Sequence, residues 1–124
     1  MGRINNFEKI DSRKNARKLV VEVYKTTKQQ EFSRDFGLKD QIQRAAVSIM
    51  SNIAEGWDRN SKKELVRFLY ISRGSAGEVR SLLYVAKDLH YIDQGIFEYL
   101  FESILTISRQ IYKLIDYLVK DQQV

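Results

Sequence analysis

The chain has 124 residues, of which 44% are hydrophobic and 30% charged, and its formal net charge is +5 at neutral pH. That length suits a single domain over residues 1–124, and that composition excludes a disordered chain, because enough apolar side chain is present to build a core. The absence of cysteine excludes disulfides and thiolate metal sites and points to a reducing cytoplasm, while no apolar run approaches the roughly 20 residues of a membrane span.

Met1 to Ile10 carries charges and scattered apolar residues without the continuous apolar stretch of a secretion leader. The first predicted helix covers residues 11–29, with Ala16, Leu19, Val20, Val23, Tyr24 and Thr27 at the spacing of one apolar face. Lys14, Lys18 and Lys25 form a row opposite that face. The second helix, 38–55, places Leu38, Ile42, Ala45, Ala46, Ile49 and Ile53 on one side, and Gly56 is expected to end it in the left-handed conformation.

The third helix, 61–90, opens with Ser61 and Glu64 in the spacing of a capping box, in which hydroxyl and carboxylate reciprocally satisfy free amide donors. Its core face reads Leu65, Phe68, Leu69, Ser72, Ala76, Val79, Leu83 and Ala86. The fourth helix, 94–120, follows Asp93 as N-cap and carries Ile96, Phe97, Leu100, Phe101, Ile104, Ile107, Ile111, Ile115 and Leu118. Glu98 and Glu102 in its first half and Arg109 and Lys113 in its second suit the helix dipole. Short connections between long helices make neighbours antiparallel, so the predicted fold is all-α, an up-down-up-down four-helix bundle.

Helix three has two further marked faces. Val66, Tyr70, Gly74, Gly77, Ser81, Tyr84 and Val85 gather away from the core, and two glycines inside a helix cost about 1 kcal/mol each relative to alanine. Close approach of another copy of the chain compensates such a cost, so these residues are the candidate oligomer interface, the other reading being packing within the bundle with the tyrosines as ordinary surface. Lys62, Arg73, Arg80 and Lys87 fall within about 40° of one another on the helical wheel. They form a basic stripe, and with Lys14, Lys18 and Lys25 they are the candidate nucleic-acid contacts. The stripe's other reading is a solvated face or a set of ion pairs.

Catalytic constellations are missing. A di-metal bundle site needs Glu-x-x-His pairs, and the single histidine, His90, has no glutamate three residues before it, which leaves it as a helix cap or surface residue. The serines lack a histidine base, and Gly74-Ser75-Ala76-Gly77 lies within helical periodicity rather than in a phosphate-binding loop. An enzyme, a bound cofactor and a small-molecule substrate are therefore not expected.

From Gln41 to Tyr91 the sequence resembles the bacterial four-helix-bundle family named for 23S rRNA intervening-sequence proteins. The resemblance lies in Arg44-Ala45-Ala46 with Ser48-Ile49, in Asn52-Ile53-Ala54-Glu55-Gly56, in Arg59 and Ser61 ahead of Glu64, and in Arg67-Phe68-Leu69 with Ile71. It continues through Gly74-Ser75, Glu78, Ala86 and Leu89 to Tyr91. Arg73 departs from the alanine common at that place in relatives. The resemblance implies a cytoplasmic bundle that assembles into a ring-like homopentamer. It also implies structural roles, Asn52 and Glu55 bonding loop amides, Gly56 stopping helix two and Gly74 admitting a neighbouring helix. A similar bundle accompanies diversity-generating retroelements, as a basic pentamer that binds a reverse transcriptase and nucleic acid.

Two functional expectations follow. One is a non-catalytic homo-oligomer that binds structured RNA or DNA through its basic faces, by phosphate and shape. The other is a scaffold or adaptor for a protein partner such as a reverse transcriptase, its charge steering acidic surfaces.

Overall fold

The structure, a computed structural model, describes residues 6–122, with side chains described over 11–121. Of the segment Met1 to Ile10, read above for a leader, the first five residues lie outside the described ones. Four α-helices, α1 (Asn6–Thr27), α2 (Phe36–Asp58), α3 (Lys62–Asp88) and α4 (Gln94–Gln122), are joined by short turns and one 3-10 helix, Gln30–Arg34. No strand occurs among the described residues, and none of their helices is long and apolar enough to cross a membrane.

Each helix packs on its neighbours in sequence, and α4 closes back on α1, leaving α1 and α3 at opposite corners. The side-chain partners fix the directions. From α2 to α3, Ser48 meets Ser75 and Gly56 meets Leu65, so rising numbers face falling ones. From α3 to α4, Lys62 meets Asp121, Arg73 meets Tyr112 and Lys87 meets Phe97. Between α1 and α4, Asn15 donates to Gln110 at 3.1 Å. The α2–α3 and α3–α4 seams are therefore antiparallel.

Helix periodicity accounts for the core. All the predicted core positions of α2 and α3 are buried, Ser72 included. Ser72 Oγ resolves its own burial by donating to the Ile49 carbonyl at 2.7 Å. On α1, Ala16, Leu19, Val23 and Thr27 are buried, whereas Tyr24 is exposed, and the buried Ser12 extends the face toward the amino terminus. On α4 the core gains Leu114, while Ile96 and Phe101 are only partly covered.

The turns differ from expectation. Gly56 does not end α2 in a left-handed conformation, since no glycine among the described residues has positive φ, and the helix continues to Asp58. The glycine is buried instead, because a Cβ there meets Leu65 Cδ1 and Phe68 Cβ at 3.0 Å, so it sets how closely α2 and α3 approach. Among the described residues, the left-handed ones are Gln30, Asn60 and His90. At the end of α3, the His90 amide donates to Lys87 O and the Tyr91 amide to Ala86 O, both at 2.9 Å, which is a Schellman closure with His90 in the position usually held by glycine.

Ser61 caps α3 by accepting from the Glu64 amide at 3.3 Å. The reciprocal half of the box is absent. Glu64 turns to the Arg67 guanidinium at 3.1 and 3.2 Å, and this bond is the main reason its pKa lies below the ordinary carboxylate value. Asp93 caps α4 by accepting from the Ile96 amide at 2.8 Å, as predicted. Asp35, which sequence reading passed over, caps α2 by accepting from Leu38 N. In the 3-10 helix ahead of it, Phe32 is fully buried.

Candidate functional site

The seam between α3 and α4 changes character along its length. Near one end Tyr84 packs on Phe97 and Phe101, with ring centroids at 5.1 and 5.5 Å, and Lys87 lies over Phe97. Near the other end Lys62 pairs with Asp121, and this bond is the largest cause of the lowered pKa of Asp121. Between them the seam is lined in part by residues without long side chains, Gly74, Gly77 and Ser108. Two adjoining hollows of about 360 and 290 Å³ lie there, and they share Arg73, Arg80 and Ser108.

The larger hollow is lined by Arg73 and Arg80 from α3 and by Leu105, Ser108, Arg109, Tyr112 and Lys113 from α4. Tyr70, Gly74 and Gly77 extend the smaller one along α3. Four cations thus surround one groove whose lining contains no acid. None of Arg73, Arg80, Arg109 and Lys113 is ion-paired among the described residues, although Lys62, Arg44, Arg59, Arg67 and Lys120 all are. Uncompensated like charges repel, so an anion in the groove relieves a repulsion that the chain itself leaves in place. The Arg73 guanidinium lies 4.9 Å from the Tyr112 ring centroid, and that ring is half exposed.

The predicted stripe is therefore divided. Arg73 and Arg80 come together with two cations of α4, while Lys62 and Lys87 are engaged at the two ends of the seam. Lys14, Lys18 and Lys25 are exposed on α1, at the opposite corner of the bundle, and share no surface with the groove. Lys18 lines a separate small cleft against α4 with Glu22 and Tyr99.

The predicted interface also separates. Tyr70, Gly74, Ser81 and Val85 are exposed, and a Cβ at Gly74 meets nothing, so no contact within the chain calls for a glycine there. Val66 packs against the core, Gly77 is half buried beside Arg80, and Tyr84 belongs to the aromatic cluster with Phe97 and Phe101. Of these, Tyr84 reaches the rings of α4 while about half of it stays exposed.

Among the described residues, Asn52 and Glu55 bond no loop amides. Asn52 Nδ2 donates to Ser48 O and Oγ at 2.8 and 2.9 Å, holding the Ser48 hydroxyl that meets Ser75 across the α2–α3 seam, and Glu55 pairs with Arg59. Sequence reading missed Arg109, Tyr112 and Lys113 as site residues. The signal was present. A short turn after α3 fixes an antiparallel register, and that register sets Tyr112 opposite Arg73, with Arg109 and Lys113 one helical turn apart beside it.

Over residues 8–113 the sequence matches the family model described as 23S rRNA-intervening sequence protein. The chain belongs to the 23S rRNA-intervening sequence protein family. A crystal structure of a protein of unknown function from the S23 ribosomal protein family of Bacteroides thetaiotaomicron has the same fold. It superposes with a TM-score of 0.82 at 19% identity, covering 88% of this chain and 98% of that one. No curated protein matches. Among the described residues of this family member, no group of three or more His, Cys, Asp or Glu is placed to hold a metal ion.

Proposed function

We propose that this protein is a non-catalytic nucleic-acid-binding oligomer that takes RNA or other nucleic acid in the α3–α4 groove. The observation that carries the reading is the set of four unpaired cations, Arg73, Arg80, Arg109 and Lys113, around a groove without an acid. Phosphate is the anion that such a cluster suits best, since arginine forks match its geometry and each neutralised phosphate releases counterions.

Self-association multiplies one groove into several. A ring-like homopentamer is the assembly the family resemblance implies, and the exposed Tyr70, Ser81 and Val85 beside the open backbone of Gly74 supply its contact surface. Because Tyr70, Gly74 and Gly77 also line the groove, a neighbouring copy packed there borders the cations, and each copy adds a further weak site to one multivalent surface.

The test is RNA affinity as a function of salt. Binding that weakens steeply between about 50 and 200 mM salt, with a slope reduced by the change of Arg80 or Arg109 to alanine, is the expected result. A chain that binds no RNA at low salt contradicts the reading. That outcome favours an adaptor for another protein, for which the 72% exposed ring of Phe36 at the start of α2 is the supporting observation.

A further inference from the structure

We propose that the α3–α4 groove selects single-stranded RNA. One unstacked base lies on the Arg73–Tyr112 pair, and the backbone phosphates next to it lie on Lys113 and, farther along the groove, on Arg109 and Arg80. This rests on the nucleic-acid reading above and names the form of RNA that the site takes.

The first ground is shape. A surface that follows a duplex backbone presents its cations outward, whereas these cations rim a concave hollow of about 360 Å³. That volume is of the order that holds a small molecule, which is the scale of one nucleotide and not of a paired helix. The second ground is the chemistry of the floor. Leu105 and Tyr112 offer apolar and aromatic surface between the charges, and phosphate recognition alone has no use for it.

The third ground is the stacked pair itself. The guanidinium 4.9 Å from the ring centre and the half-exposed phenol ring are both planar, and planar groups of these two kinds are the platforms on which unpaired bases stack. In a duplex the base faces are already stacked on one another, and that platform stays unused. The spacing along the helices gives the direction: Arg80 is about 10 Å from Arg73 along α3, and in the antiparallel register Arg109 is displaced from Tyr112 the same way, with Lys113 beside the ring, so the charges run from the platform along the groove.

Fluorescence anisotropy with the full chain tests this, using a labelled oligouridylate and a blunt RNA duplex with the same number of phosphates. The oligouridylate binds more tightly than the duplex. Tyr112→Ala weakens the oligouridylate by about 5- to 150-fold, the range of one lost stacked base, and leaves duplex affinity and both salt slopes unchanged. Tyr112→Phe, which keeps the ring, binds as the unsubstituted chain does, while Arg109→Ala lowers the salt slope for the oligouridylate. Equal binding of the two RNAs with no effect of Tyr112→Ala, or equal weakening of both by it, overturns the stacking site and leaves the phosphate-binding reading standing. Binding of neither RNA at low salt overturns both.

Discussion

Tyr91 Oη donates to Asp35 Oδ2 at 2.9 Å, joining the residue that closes the end of α3 to the one that caps the start of α2. The Tyr91 ring also packs on Phe32, with centroids 5.3 Å apart. One side chain therefore ties the α3 terminus to the link between α1 and α2. The bond to Asp35 is the main cause of a raised Tyr91 pKa. A phenol whose pKa is higher folded than unfolded contributes stability that is complete below its unfolded value and is lost as pH rises through the folded one. Tyr91→Phe should lower the melting temperature by a few degrees near neutral pH and remove part of the stability loss seen above about pH 10. Thermal unfolding of both chains from neutral to alkaline pH checks this.

Two glycines should respond oppositely to alanine. At Gly74 the new methyl meets nothing, so Gly74→Ala should stabilise the isolated chain by about 1 kcal/mol through helix propensity alone. At Gly56 it meets Leu65 Cδ1 and Phe68 Cβ at 3.0 Å, and overpacking of about 1–3 kcal/mol outweighs the same gain. Urea unfolding at low protein concentration should order the three chains Gly74→Ala, unsubstituted, Gly56→Ala. If copies approach closely at Gly74, the same Gly74→Ala change should weaken self-association in sedimentation.

His90 holds a left-handed conformation with φ of 63° at an exposed turn. A side chain there costs about 1–2 kcal/mol, and a glycine avoids most of that cost while losing more entropy on folding. His90→Gly should therefore raise stability by about 0.5–1 kcal/mol and leave RNA binding unchanged. A fall in stability would show that the imidazole makes a contact worth more than the strain.

Glu64 and Asp121 both have lowered pKa values, chiefly through their bonds to Arg67 and Lys62. Carboxylates of this kind contribute stability above their unfolded pKa, and it is lost as pH falls through the folded one. The stability curve should drop below about pH 4, and Glu64→Gln combined with Asp121→Asn should flatten that drop. Both groups are exposed enough that added salt should shrink the difference.

The helical faces were legible because burial of one stripe repeats every three or four residues, and α2 and α3 follow that rule without exception. The turns were less so. Glycine is the usual left-handed residue, yet here Gln30, Asn60 and His90 take that conformation while Gly56 serves packing, and a single sequence does not distinguish a stop from a close approach. The groove was half legible. Arg73 and Arg80 stand out on one helix, but their partners Arg109, Tyr112 and Lys113 acquire meaning only once the antiparallel register brings α4 alongside. The contacts at the ends of the stripe, Lys62 with Asp121 and Lys87 with Phe97, depend on that same helix and were not legible either.

The most direct measurement compares two double charge reversals in RNA binding at low salt. Changing Arg80 and Arg109 to glutamate alters the groove, and changing Lys14 and Lys18 to glutamate alters the opposite corner by the same net charge. The groove variant should lose about tenfold or more in affinity and show a shallower salt slope, while the α1 variant stays within about threefold. Equal losses, or a loss confined to the α1 variant, would contradict the assignment of the α3–α4 groove as the nucleic-acid site.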